Sequence, residues 1–334
     1  MIEPPEVVVV GSYVQDHAWF CDTFPRDGES RRANGFNTGP GGKGFNQAIA
    51  CHRQGVGTVF VGAIGDDHLG RIAQDFAGRE GLDARWQIVG DAPTAASSIL
   101  VDARGANRIV VNLGANERLE PAFVCEQLAG MTGARIVLCQ LENGLDTIAA
   151  ALDAATACGA LRILNPAPMH PSLDPAMLGQ ADILTPNETE FALLCRHCGR
   201  DGVDPDALAA LDDASLHALA RSLPVRTVVI TLGAHGCFVS HAQTSATKVG
   251  HGDAEPFYRI APEAVRAIDS TGAGDAFNGA LAAALLRFDG EPFVQAVRHA
   301  NRAAALSTET IGTAPAMPTF AAVVARFGHI HASA

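Results

Sequence analysis

The chain has no run of five or six basic residues, and its 36 acidic side chains outnumber 24 lysines and arginines, for a formal charge of −12. That balance excludes nucleic acid and an anionic membrane surface as main partners. No apolar run reaches the ~18 residues of a membrane span, and the longest, such as Ala280–Leu286, are of core-helix length. The first residues hold no basic segment followed by an apolar stretch, so no signal peptide is read there. The eight cysteines are scattered rather than framed, which suits a reducing cytoplasm, and a cytoplasmic location is expected. Cys195-Arg-His-Cys198 has the spacing of half a zinc site, but no second pair lies near it. Charged residues make up only 18% against 48% apolar, which describes a folded globule and not a disordered chain.

What is present is a rhythm. Short β-branched runs at Val7–Val10, Val59–Ala63, Ile136–Gln140, Leu161–Asn165, Ile183–Pro186 and Thr227–Leu232 alternate with helical stretches. Those stretches are Gly44–Gln54, Gly70–Glu80, Pro121–Ala129, Gly144–Cys158 and Ala214–Ser222. The strand runs are continuously apolar, as in a parallel sheet covered on both faces. The pattern predicts an α/β fold with a doubly wound, mostly parallel sheet, whose ligands bind beyond the carboxyl ends of the strands.

Two segments break the rhythm. Tyr13–Thr38 carries two extended stretches around Pro25, Asp27 and Gly28, and Ser97–Asn112 reads as a hairpin turning at Arg104–Asn107. They are expected to form a small β-sheet lid, 13–38 and 97–112, over a core of 1–12, 39–96 and 113–326, with 327–334 a tail. A lid excludes water, and its exposed edge makes a lid-mediated homodimer the expected assembly. Arg200–Asp213 reads as a surface insertion between helices.

The strongest chemical signal is Asp269-Ser-Thr-Gly-Ala-Gly-Asp275-Ala-Phe-Asn278 at the start of an alanine- and leucine-rich helix. Gly272, Ala273 and Gly274 are small enough for backbone N–H groups to converge on one anion, where the helix dipole also favours negative charge. Asp275 follows directly, placed to take a proton from an attacking hydroxyl. The same residues also read as a glycine-rich helix start with an ordinary first-turn acid. A second segment, Gly39-Pro-Gly-Gly-Lys43-Gly-Phe-Asn46-Gln47-Ala48, is a tight turn into a helix and lacks the spacing of a P-loop. Its backbone donors, Lys43 and Asn46 suit hydroxyl recognition, although a plain glycine turn fits equally well. In Thr185-Pro-Asn187-Glu188-Thr189-Glu190, Asn187 and Glu190 suit a metal-bound water shell, and they suit a capping box at least as well. Thr231-Leu-Gly233-Ala-His-Gly236 ends another strand and suits nucleotide phosphates or a simple turn.

In this order the segments resemble the ribokinase family of sugar kinases (the PfkB group), from Val8-Val-Val-Gly-Ser12 to Pro315-Ala-Met-Pro318 and including Gln140-Leu-Glu142 and Asn165-Pro-Ala-Pro168. The resemblance implies a Rossmann-like core with a β lid, and transfer of the γ-phosphoryl of ATP to a hydroxymethyl group, D-ribose foremost. It implies a sugar pocket of Asp16, Gly42, Lys43, Asn46 and Glu142, with Asp275 as base. It implies nucleotide contacts at Asn187, Thr231, Gly233, Gly236, Gly274 and Asn301, and Glu190 acting on a Mg²⁺ water shell. A monovalent cation, K⁺, is implied at Asp269, Thr271, Ser307, Thr310 and Gly312.

Three positions depart from the family pattern. Ala316 stands where a serine often supplies a cation ligand. Val14 stands where an asparagine usually bonds the sugar, and Phe45 where alanine is common beside the lysine. A hydroxyl buried against valine without another partner costs about 1–3 kcal/mol. Val14 therefore makes 2-deoxyribose the nearest rival, and Val14 with Phe45 a nucleoside, unless Phe45 packs into the core. His17 beside Asp16 is read first as a packing residue, with a contact to substrate or lid as the alternative, and Cys139 and Cys237, in apparent strands, as small buried hydrophobes. A non-catalytic sugar sensor on this scaffold would be free to lose its base or its anion hole, and both are intact.

Overall fold

Each residue of Val7–Val10 is fully buried, Val7 and Val9 in one apolar cluster and Val8 and Val10 in another. Successive side chains of a strand point to opposite faces, so an unbroken apolar run means cover on both sides. The structure, a computed structural model, describes residues 5–242 and 253–330. In chain order its strands begin with β1 (Val7–Val10), β2 (Val14–Phe20), β3 (Gly35–Gly41), β4 (Thr58–Gly65), β5 (Asp83–Val89), β6 (Ala96–Val101) and β7 (Asn107–Asn112). They continue with β8 (Ile136–Cys139), β9 (Leu161–Leu164), β10 (Ile183–Leu184), β11 (Thr227–Thr231), β12 (Cys237–His241) and β13 (Phe257–Ile260).

Nine of them form one sheet in the order β13-β12-β11-β10-β9-β8-β1-β4-β5. It is parallel from β11 to β5, and β12 pairs antiparallel with both β11 and β13. One face is covered by α1 (Lys43–Arg53) and α2 (His68–Glu80), the other by α3 (Pro121–Ala129) and α4 (Leu145–Cys158). The short α5 (Pro175–Leu178), α6 (Glu188–His197) and α7 (Asp213–Ala220) join the second layer. The remaining helices α8 (Ala273–Arg287), α9 (Phe293–Ser307) and α10 (Phe320–Phe327) join the first.

From β1 the chain builds outward to β4 and β5 on one side and to β8 through β11 on the other. Such a reversal opens a crevice at the carboxyl ends of β1 and β8, where open α/β sheets bind ligands. A second, four-stranded sheet, β3-β2-β6-β7, is inserted after β1 and again after β5. The expected doubly wound sheet with a separate small sheet is therefore what is observed.

The expected strands and helices all form, with ends shifted by a residue or two. Strand β3 runs to Gly41, beyond the expected limit at residue 38. Edge strand β5, strand β13 and helices α5, α9 and α10 were not expected, while Cys237 stands in a strand, β12, as expected. The insertion 200–213 holds a 3-10 helix, Pro205–Ala210, pinned by buried Leu208. Of the expected tail, residues 331–334 lie outside the described residues, as do 1–4 of the expected core. Among the described residues no helix is long and apolar enough to cross a membrane.

Candidate active site

Helix α8 begins at a left-handed glycine, Gly272 with φ 79°, a conformation that favours glycine because other residues carry a Cβ. The N–H groups of such a first turn lack acceptors within the helix and can meet an anion, although that of Ala273 donates to the Ser270 carbonyl at 3.2 Å. Asp275 sits in that turn, buried, and both of its oxygens are held. Asn46 Nδ2 donates to Oδ2 at 2.9 Å, and Gln47 Nε2 donates to Oδ1 at 2.9 Å. Both amides come from α1, which approaches α8 closely: a Cβ on Gly279 would stand 2.3 Å from the Gln47 carbonyl oxygen.

Behind the carboxylate lies a relay of amides. Gln140 donates to Gln47 Oε1 at 2.7 Å, and Gln47 also donates to Asn165 Oδ1 at 3.0 Å. Asn165 donates to the Thr185 carbonyl, Thr185 Oγ1 to Asn278 Oδ1, and Asn278 to the Gly274 carbonyl. A buried network of this kind holds Asp275 in one orientation, although Gln140 Oε1 has no hydrogen-bond partner among the described residues. Burial lifts the Asp275 carboxyl above its usual range, while the Lys43 ammonium and the two amides pull it back. A carboxylate of raised basicity is the better proton acceptor.

Glu142 accepts from the Ser12 hydroxyl and from the Lys43 backbone N–H at 2.9 Å, which ties the ends of β8 and β1 to the start of α1. Burial pulls Lys43 down, but Asp275, Glu142 and Glu190 outweigh it, and the ammonium is held above its ordinary value. Asp16, on β2 of the small sheet, accepts from Ser97 Oγ at 2.5 Å. Burial, with Glu142 and Asp275 nearby, lifts it to about 6. Asp16 and Val14 share one face of β2 by alternation, and Val14 is buried there. Gly42, with φ 88°, presses on Val14: a Cβ there would meet its backbone nitrogen at 2.6 Å. Asn46 Oδ1 is buried beside Asp275 with no hydrogen-bond partner among the described residues.

Lys43, Asn187, Glu190, Thr231, Gly272, Gly274 and Asp275 line one pocket of about 150 Å³, together with Asn165, Ala167, Thr185 and Asn278. Asn187 and Glu190 form the capping box on α6 that was one reading of that segment. Ala273 is the first residue of α8 beside this pocket. Gly233, Gly236 and Asn301 stand outside its walls, and Asn301 donates to the Ala261 carbonyl at 3.1 Å. A larger open cleft of about 610 Å³, near Gln87, Glu117 and Asp146, lacks both glycine-rich turns and is not where this chemistry gathers.

Asp269 brings two loops together, accepting from Thr271 N–H at 2.9 Å and Gly312 N–H at 3.0 Å. Ser307 closes α9 and Thr310 follows in the second loop, where its N–H donates to the Ser307 carbonyl. With both Asp269 oxygens engaged, a cation there fits backbone carbonyls, and Ala316, buried, adds no hydroxyl.

Phe45 is fully buried among Tyr13, Phe60, Phe76 and Trp86, in edge-on and tilted ring contacts. It is a core residue and not a substrate contact. His17 stacks on Trp19, on the lid face opposite Asp16. Cys139 and Cys237 are buried strand residues, and among the described residues no three His, Cys, Asp or Glu side chains group to hold a metal. Gln47, Gln140, Thr185 and Asn278 had been assigned no role from sequence. At Gln140 and Thr185, as at Asn165, the signal is a polar residue directly after a buried apolar strand, while Gln47 and Asn278, inside α1 and α8, carry no such signal.

The architecture and the two glycine-rich turns have relatives. A ribokinase of Haemophilus influenzae is 34% identical over 315 residues, 94% of this chain and 95% of that protein. The structure of a Giardia lamblia ribokinase superposes with a TM-score of 0.82 at 27% identity, covering 97% of this chain and all of that one. An Arabidopsis thaliana ribokinase complexed with ribose and ATP superposes with a TM-score of 0.75 at 28% identity, over 96% of this chain and 98% of that one. The family model described as pfkB family carbohydrate kinase matches residues 4–320, which takes in both turns and the small sheet, so the chain belongs to the PfkB family of carbohydrate kinases.

Proposed function

We propose that the chain transfers the γ-phosphoryl group of ATP to the 5-hydroxyl of D-ribose. The observation that carries this is Asp275, buried at the mouth of α8 and aimed by two amides beside a lysine. The hydroxyl oxygen attacks phosphorus, the bond to the bridging oxygen of ADP breaks, and the hydroxyl proton passes to Asp275. The N–H groups of Gly272, Ala273 and Gly274 suit the charge that develops on the phosphoryl oxygens, once that of Ala273 leaves the Ser270 carbonyl.

On the sugar side, Asp16, Glu142 and Asn46 Oδ1 are acceptors suited to a neutral polyol, with Gly42 and Lys43 beneath it. On the donor side stand Asn187, Thr231, Gly233, Gly236, Gly274 and Asn301. Glu190, with its oxygens shared with the Asn187 amide groups, suits an outer contact through water to Mg²⁺ and not direct ligation. That ion supplies charge neutralisation of the phosphates. The carbonyls of the loops at Asp269–Thr271 and Ser307–Gly312 suit a monovalent cation, K⁺, which would fix the turn before α8. The lid sheet suits closure over the sugar and pairing with a second copy.

Val14 favours a second reading, 2-deoxyribose, because valine offers a sugar hydroxyl no partner. Phe45, being core, lends a nucleoside acceptor no support. ADP release over ribose, 2-deoxyribose, fructose and nucleosides, with and without K⁺, tests the choice. Ribose is expected to give the highest kcat/KM, and Asp275→Asn to lower its kcat by about 10²–10⁴ with the fold retained. Ribose ranking last in that panel, or an unimpaired Asn variant, sinks the assignment.

A further inference from the structure

The turn running through the 3-10 helix Ala314–Ala316 is gripped by one guanidinium. Arg53, the last residue of α1, donates through Nη1 to the carbonyls of Ala314 at 3.3 Å, Pro315 at 3.0 Å and Met317 at 2.7 Å. Its Nε and Nη2 meet the two oxygens of Glu80, at the end of α2, at 2.9 and 2.8 Å. The pair is largely shielded from water. Only a planar fork serves both partners at once; a lysine is a single point of charge.

The opposite side of that turn meets the site. A Cβ built on Gly272 would stand 3.2 Å from Met317 Cε and 3.5 Å from Thr313 Cα. The turn is thus the wall against which the left-handed cap of α8 is set. Thr313 Oγ1 donates to the Pro40 carbonyl at 3.0 Å, at the end of lid strand β3, and Gly312 N–H reaches Asp269. One loop therefore touches the anion-binding cap, the lid root and the Asp269 loop, and its rear is fixed by Arg53.

We propose that Arg53 is a positioning residue for phosphoryl transfer, acting through the turn 312–317 on the cap at Gly272. The proposal rests on the kinase reading above. Arg53 touches neither sugar nor nucleotide in this scheme, so its loss alters where the cap sits and leaves the sugar contacts in place. Small displacements of oriented groups are costly in rate, and Arg53→Lys is expected to lower kcat about tenfold to a hundredfold. The KM for sugar, and sugar affinity by calorimetry, should stay within about twofold of the parent, the signature of an interaction felt only in the transition state. Peptide-resolved hydrogen exchange of the unliganded chain should quicken over 312–317 and the first turns of α8, and stay unchanged over β1 and β8.

Glu80→Gln, a milder release of the same fork, should show the same split to a smaller degree, and it decides the matter if the lysine variant does not fold. Parental kcat in both variants overturns the proposal. So does a loss matched by a lower folded fraction with exchange in α8 unaltered. A parent that turns over no sugar removes the kinase reading instead, and the exchange comparison still decides whether the clamp sets the cap.

Discussion

Burial raises the Asp16 carboxyl from the ordinary 3.8 to about 6, with Glu142 and Asp275 adding to it and the Ser97 hydroxyl opposing. The folded chain therefore keeps a proton that the unfolded chain has already lost. Its contribution to stability is present below the unfolded value and disappears as pH rises through about 6. Asp16→Asn removes the group that loses its proton. That variant should melt about 2–4 °C above the parent near pH 8 and alongside it near pH 4, by calorimetry across pH. Its sugar KM should rise, because an amide replaces an acceptor aimed at hydroxyls. An equal melting temperature at both pH values would mean that Asp16 is solvated and not buried against the site. Asp275 and Lys43 were legible in the residues themselves, because a glycine cluster with an adjacent acid or lysine carries a chemical reason of its own, whereas Asp16 and Glu142 came only from the family resemblance. The amides behind them were not. Gln140 and Thr185 look like ordinary polar residues until the fold lines up the ends of β8 and β10 beside α8.

At the scale of elements, the site depends on how closely α1 and α8 approach. Gly279 has no Cβ, and one placed there would lie 2.3 Å from the Gln47 carbonyl and 2.6 Å from Ala50 Cβ. Backbone on one side and a packed methyl on the other leave no room to yield. Gly279→Ala should therefore push the helices apart at a cost of about 1–3 kcal/mol, read from chemical denaturation. The same shift carries Asn46 and Gln47 away from Asp275, so kcat should fall further than the folded fraction does. Unchanged stability and turnover would show that the two helices slide freely. The contact is invisible in sequence, since a lone glycine in an alanine-rich helix has many uses. The central strands were legible from their unbroken apolar runs. Edge strand β5, Asp-Ala-Arg-Trp-Gln-Ile-Val, was not, because a half-exposed edge mixes charges with apolar residues. The short β12 and β13 add antiparallel pairings at the opposite end, where the parallel βαβ rhythm no longer applies.

For the molecule as a whole, topology decides what the chain presents to others. The doubly wound sheet places its crevice at β1 and β8, and the inserted small sheet brings Asp16 on β2 near Glu142 and Asp275 there. That much followed from where the βαβ rhythm breaks. What the rhythm does not show is which residues the small sheet leaves bare. Strand β7 is its edge, and Ile109, Val110 and Val111 are 53%, 74% and 47% exposed. Ile109 pairs with Ile99 and Val111 with Ser97, which puts both on the Asp16 face of the sheet. An unpaired edge bearing apolar side chains pairs readily with another strand, and a second copy of the same sheet brings a matching surface. The chain is expected to sediment as a dimer at micromolar concentration. Ile109→Glu combined with Val111→Glu should shift it to monomer and, if the proposed sugar contact of Asp16 on that face holds, weaken sugar binding. Because neither side chain is buried in the single chain, the melting temperature of the monomer should barely move. A parent that sediments as a monomer at every concentration, with or without sugar, would leave that apolar face to lid closure within one chain.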